Sequence, residues 1–212
     1  MRIFIAIALF IVCFGSILFI FWKQEVKFSL PTPVPSNLEI VEQGDSVKLP
    51  QLLNFIGKPL YIHFYNYDCP CSRFNMKEFE LMVAKFSDKV NFLAIVESSG
   101  ETTSNAGKEF KEKYELNIPT ISDTDGALAK ELGIYSTPQA VLIKDNKIFY
   151  KGNYNKARFC TSKNTKFAEM ALQALIKNES PPDFPLLATI PYGCELPSHS
   201  RQESGLSNLF NF

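Results

Sequence analysis

Leu60-Tyr61-Ile62-His63-Phe64-Tyr65-Asn66-Tyr67-Asp68-Cys69-Pro70-Cys71-Ser72-Arg73-Phe74 is the stretch on which the fold turns. Its first six residues form a short, nearly continuous apolar and aromatic run, the pattern of a strand buried on both faces. Phe74, Phe79, Met82, Val83 and Phe86 then recur at helical spacing. The two cysteines therefore fall between a strand and a helix. At a helix start the unpaired N–H groups and the macrodipole favour negative charge, and a thiolate is the nucleophile of disulfide exchange. Pro70 restricts the backbone between the thiols. Arg73 adds a cation nearby, whereas Asp68 opposes thiolate formation.

Outward from this segment, the apolar pattern alternates between two lengths. Residues 90–96 read as a second strand, 104–114 as a polar helix and 118–121 as a short strand. Residues 125–132 read as a brief helix stopped by Gly133. Residues 140–143 and 148–150 flank the polar turn Lys144-Asp145-Asn146-Lys147, which predicts an antiparallel hairpin. Phe167, Met170, Ala171, Ala174 and Leu175 mark a last amphipathic helix. The expected order, β-α-β-α-β-α-β-β-α, is that of an α/β domain with a mixed central sheet and helices on both faces.

With these elements in place, the chain resembles the thioredoxin-like superfamily, and within it the membrane-anchored extracytoplasmic redoxins. The likeness spans about residues 45–177. It rests on Gly57-Lys58-Pro59 leading into the first strand, on Asp125-Gly126-Ala127-Leu128-Ala129-Lys130-Glu131-Leu132-Gly133-Ile134, and on Ser136-Thr137-Pro138-Gln139-Ala140-Val141-Leu142-Ile143. The resemblance implies a cis peptide at Thr137–Pro138, packed beside the reactive thiol and binding the substrate backbone. It places the nucleophile at Cys69. The motif also departs from the family: Asp68 replaces a Trp, Ser72 stands at the second cysteine position, and Cys71 stands where a proline usually precedes that cysteine. Tyr65 stands where a peroxiredoxin-type Thr or Ser belongs.

The remaining cysteines widen the choice. Leaving Cys13 aside, Cys69, Cys71, Cys160 and Cys194 allow three full pairings. The simplest joins Cys69 to Cys71 as a redox pair and Cys160 to Cys194 as a staple; in the alternative, Cys160 or Cys194 resolves oxidised Cys69. His63, inside an apolar strand, reads as a core imidazole. His199 reads as a solvated tail residue, and Glu97, ending a strand, is a candidate for proton transfer.

The amino terminus carries the expected location. No charge interrupts residues 3–22, and Arg2 and Lys23 flank the run, with Trp22 at an interfacial position. Twenty helical residues match a hydrocarbon core of ~30 Å. The bulky Phe19-Ile20-Phe21-Trp22 end favours an uncleaved anchor over a signal peptide, and the residues before Cys13 do not favour lipidation. Four segments are expected: an anchor (1–23), a Pro-rich linker (24–37), the thioredoxin-like domain (38–178) and a C-terminal extension (179–212). The domain is expected on the periplasmic or extracytoplasmic side of the cell (inner) membrane.

Overall charge balances at 22 basic and 22 acidic side chains, which gives no electrostatic footprint for nucleic acid. The leading expectation is a thiol–disulfide oxidoreductase acting on protein thiols or disulfides. Cys69 is its nucleophile, Cys71 or Cys160 its resolving thiol, Thr137 and Pro138 its substrate edge, and no cofactor is required. The alternatives are a thiol peroxidase, a copper-handling protein using Cys69 and Cys71 as soft ligands, and a binding scaffold of degenerate redoxin fold.

Overall fold

The computed structural model describes residues 2–23, 30–36, 38–47, 57–99, 105–156 and 163–199. Helix α1 (Arg2–Phe21) stands apart, with a mean hydropathy of 3.0 and no buried residue. It is long and apolar enough to cross a membrane.

Five strands form the main sheet: β1 (Leu60–Asn66), β2 (Asn91–Glu97), β3 (Thr120–Ser122), β5 (Gln139–Lys144) and β6 (Lys147–Gly152), in the order β3-β2-β1-β5-β6. β1, β2 and β3 run parallel, while β5 and β6 pair antiparallel. This is the mixed sheet read from the sequence. The β5–β6 turn has positive φ at Asp145 and Asn146, the backbone that tight hairpins require and that Asp and Asn tolerate.

Alternation along the strands divides the core. Tyr61, Tyr65, Ala94, Val96, Ala140 and Leu142 face α2 (Pro70–Phe86), α3 (Ala106–Tyr114) and α5 (Phe167–Ile176). On the opposite face Ile62, Phe64, Leu93, Ile95, Val141 and Ile143 meet α4 (Ala127–Glu131), with Leu196 from the C-terminal extension closing this second cluster. β1 is buried at every position, as its unbroken apolar run requires. Its His63 is fully buried and stacks on Phe79 with ring centroids 4.4 Å apart; Nδ1 lies 2.6 Å from the Tyr154 hydroxyl. Burial lowers its pKa from 6.5 to about 3, so it is a neutral core imidazole.

Several short elements among the described residues were not anticipated, three of them at the edge of the site. β4 (Ser136–Thr137) precedes the cis Thr137–Pro138 peptide. In the extension, α6 (Leu186–Thr189) and β7 (Cys194–Glu195) fold onto the domain, and β7 pairs antiparallel with β4. His199 is buried rather than solvated, with Nε2 3.2 Å from the Ile134 carbonyl oxygen. It is drawn in because Leu196, three residues earlier, is fully buried and donates its N–H to Tyr135.

Candidate redox site

The site forms beyond the C-terminal ends of β1 and β2, where a sheet of this type leaves a crevice. β1 ends at Asn66, whose side-chain Oδ1 accepts the Asp68 N–H at 3.0 Å and whose backbone carbonyl accepts the Cys69 N–H at 3.1 Å. These bonds turn the chain into α2. Cys69 is the N-cap residue in extended conformation, without a side-chain cap bond, and Pro70 opens the helix. The proline lacks only an N–H that the first turn would leave unpaired anyway. Cys69 is therefore at the positive end of a 17-residue helix. Ser72, at the usual second-cysteine position, is fully buried; its Oγ accepts the Asn66 N–H at 3.2 Å. This serine braces the strand end.

Cys69 is joined to Cys194, with the Cα atoms 5.9 Å apart. Cys71 keeps its thiol and is fully buried. The Sγ atoms of Cys69, Cys71 and Cys194 all lie within 4.8 Å of one another. The simplest sequence pairing, Cys69–Cys71 with Cys160–Cys194, is thus not the one formed. The β4–β7 ladder carries Cys194 to Cys69, whereas Cys71 is committed to the first turn of α2. Cys160 lies outside the described residues.

The cis Thr137–Pro138 peptide faces the same sulfur, as the resemblance implies: the Thr137 carbonyl oxygen is 3.8 Å from Cys69 Sγ. Thr137 pairs with Cys194 and Ser136 with Glu195. Asn66 adds a contact from the other side, its Nδ2 donating to the Glu195 carbonyl at 3.3 Å. Residues from the Pro-rich segment complete the edge: Pro31 bridges Tyr192, Thr32 donates its N–H to Pro191, and Thr32 Oγ1 lies 2.7 Å from Ser136 Oγ.

Charged groups are turned to structural tasks. Asp68 Oδ2 accepts from the Ser99 hydroxyl at 2.6 Å and the Ser99 N–H at 2.9 Å. These bonds hold its pKa below the ordinary carboxylate value. Arg73 Nη1 lies 3.5 Å from the Tyr67 carbonyl oxygen. Glu97 is buried, and its carboxylate accepts the N–H of Ser198 at 3.0 Å and the Ser198 hydroxyl at 3.2 Å. Asn66, Gly193, Glu195, Leu196 and Ser198 escaped the sequence reading, and Ser72 was placed at the second cysteine position but without its bracing role. The Tyr192-Gly193-Cys194 string was the available signal, because a glycine before a cysteine permits close backbone approach.

A mixed five-stranded sheet with a cysteine at the start of α2 and a cis proline opposite it defines the thioredoxin-like fold. Residues 25–151 match the AhpC/TSA family, and the chain belongs to it. No curated protein matches the chain. Among solved structures, a hypothetical protein from Sinorhizobium meliloti 1021 superposes with a TM-score of 0.63 at 16% identity, covering 75% of this chain and 96% of its own. An uncharacterized conserved protein from Geobacillus kaustophilus gives 0.60 at 21%, covering 79% and 97%. A putative thiol:disulfide interchange protein DsbE from Chlorobium tepidum gives 0.51 at 16%, covering 65% and 99%. At such identities the likeness is one of fold.

Proposed function

We propose that this chain is a membrane-anchored thiol–disulfide oxidoreductase of the extracytoplasmic face, with α1 as its anchor and Cys69 as its nucleophile. The observation that carries the reading is the convergence of three sulfurs, within 4.8 Å, at the start of α2 beside the cis Thr137–Pro138 peptide. In the reducing direction, Cys69 thiolate attacks a substrate disulfide, forms a mixed disulfide and expels one substrate thiolate. Cys194 or Cys71 thiolate then attacks Cys69 Sγ, the second substrate thiolate leaves, and two electrons have passed to the substrate. The reverse sequence, starting from Cys69–Cys194, oxidises a substrate dithiol. Cys194 takes the resolving role assigned to Cys71 or Cys160 from the sequence, and Cys71 is the second thiol within reach. The α2 dipole favours Cys69 as thiolate, hence as both attacking and leaving group.

Tyr65 argues against the peroxidase alternative. Its hydroxyl, where a Thr or Ser would serve the peroxide, is 2.9 Å from the Tyr114 hydroxyl in the aromatic cluster. A copper reading draws support from the three-sulfur cluster, because reduced Cys69, Cys71 and Cys194 offer a trigonal soft-ligand set for Cu(I).

Non-reducing peptide mapping of the full chain across a glutathione redox series tests the proposal. Reversible opening of Cys69–Cys194 with potential is expected. A Cys69 that neither opens nor exchanges at any potential overturns it. Retention of one Cu(I) by the reduced chain, lost in Cys71→Ser, favours the copper reading.

A further inference from the structure

Two-residue strands rarely hold a chain end in place by themselves, yet residues 191–199 are seated at every step. Tyr192 donates its hydroxyl to the Asn155 carbonyl and bridges Pro31. Gly193, at φ +128°, lies so close to β4 that a Cβ there would come within 2.2 Å of the Thr137 carbonyl oxygen. Cys194 and Glu195 add the ladder, and Glu195 gives its carbonyl to Asn66. Leu196 fills the apolar space beside Leu128, Leu132 and Ile134. Ser198 meets Glu97 through both its N–H and its hydroxyl. It also rests on Gly126, where a Cβ would stand 2.3 Å from the Ser198 Cβ.

Residues 191–196 have the arrangement of a peptide laid against a sheet edge, with main-chain bonds and a pocketed side chain, before the chain enters a helical turn at 197–199. The covalent link completes the likeness, because Cys194 bonded to Cys69 is chemically a cysteine of a bound polypeptide in mixed disulfide with the nucleophile. We infer that residues 191–196 are a tethered image of the substrate, and that the β4 edge accepts extended polypeptides carrying a small residue before the reacting cysteine and an apolar residue two positions after it. The inference rests on the exchange chemistry proposed above and assigns that chemistry its substrate class.

Each feature of the preference has a physical source. The close approach of Gly193 to Thr137 excludes a side chain before the cysteine. The fully buried Leu196 selects an apolar residue at the second position beyond it. Glu97 takes the N–H of Ser198 in the helical turn beyond, a contact of the strap and not of the preference. The tether also gates entry. An intramolecular occupant acts at an effective concentration of order mM, so an outside polypeptide reaches Cys69 only when the segment lifts.

The test uses the full chain in detergent with Cys71→Ser and Cys194→Ser, so that Cys69 is the reacting active-site sulfur. A Cys69→Ser version subtracts the contribution of Cys13 and Cys160. The probe is a synthetic peptide of residues 190–199 whose cysteine is activated as a disulfide with thionitrobenzoate. Cys69 thiolate attacks the peptide sulfur, the mixed disulfide forms, and thionitrobenzoate departs with the electron pair as a coloured anion. Adding Gly193→Val to the chain ejects the tethered segment, and release is expected to accelerate by about tenfold or more as the intramolecular competitor is lost. In that background the native peptide is expected to react about tenfold faster than a peptide carrying valine in place of its glycine, since that residue has no room beside Thr137. Leu196→Ala in the chain serves in place of Gly193→Val should the latter fail to fold.

Equal rates for the two peptides, or no acceleration on ejecting the segment, overturn the substrate-image inference while leaving Cys69 exchange standing. No release above the Cys69→Ser background in any version overturns the exchange reading itself.

Discussion

Two segments reach Cys69, and they are built on opposite principles. The first turn of α2 brings Cys71 within reach through local geometry: a strand end, a proline and a helix axis. The C-terminal segment brings Cys194 from 125 residues away, through a ladder, two close-packed glycines and one buried leucine. Cys71 sits in rigid helix and keeps its thiol, while Cys194 sits on a strap of tertiary contacts and holds the disulfide. The difference separates two tasks. A thiol fixed in a helix is always near the nucleophile, whereas one on a strap is present only while the strap is seated. A centre with both carries one constant neighbour and one conditional neighbour.

The largest effect that would break this comparison is at the shared sulfur. Cys69→Ser is expected to reduce disulfide exchange, followed by insulin or scrambled-substrate turnover, to the uncatalysed rate. Activity surviving that change would move the chemistry to another cysteine. Next comes the link itself. Closing a loop of this length is expected to stabilise the oxidised domain by about 5 kcal/mol over the reduced one. Urea unfolding with and without reductant reads that difference; Cys194→Ser should abolish it and Cys71→Ser should preserve it.

The strap's apolar anchor follows. Leu196→Ala removes a fully buried side chain and is expected to cost about 3 kcal/mol, with faster reduction of Cys69–Cys194 by dithiothreitol. The same change should leave Cys71 better protected from alkylation than Cys194 under native conditions, because Cys71 is held in the first turn of α2 rather than on the strap. Equal exposure of both cysteines would erase the distinction between helix and strap.

The smallest expected effect belongs to the sheet beneath both. His63 accepts a proton near pH 3 when folded but near 6.5 when unfolded. Between these values the unfolded chain binds more protons. Its contribution is therefore complete above pH 6.5 and declines as pH falls, at a slope approaching about 1.4 kcal/mol per pH unit below pH 6. Unfolding series from pH 7 to 5, above the carboxylate range, test this; a His63 resonance titrating near 6.5 in the native protein would contradict it.

What could be read from sequence divides along the same line. β1, β2 and the β5–β6 hairpin announce themselves because apolar runs and the Asp145-Asn146 turn encode structure within a few residues. Cys69 was legible because its strand-to-helix position is local. The strap was not. Pro191, Tyr192 and Gly193 carry no periodicity, β7 is two residues long, and its stability comes from Thr137, Asn66, Glu97 and Gly126, far away along the chain. His199 was misjudged for that reason: polar neighbours suggested solvent, while the burial of Leu196 decided the matter. The disulfide partner followed the strap and was hidden with it.

The bridge between Pro31 and Tyr192 has a further consequence, one of reach. About ten residues separate the end of α1 from Pro31, and a fully extended chain of that length covers at most ~35 Å. If α1 serves as the anchor proposed above, Pro31 stays within that distance of the lipid surface, and the sulfur centre would work on a short leash. Its encounters are then confined to a thin layer, where chains emerging from the membrane or moored to it are met often and freely diffusing ones seldom.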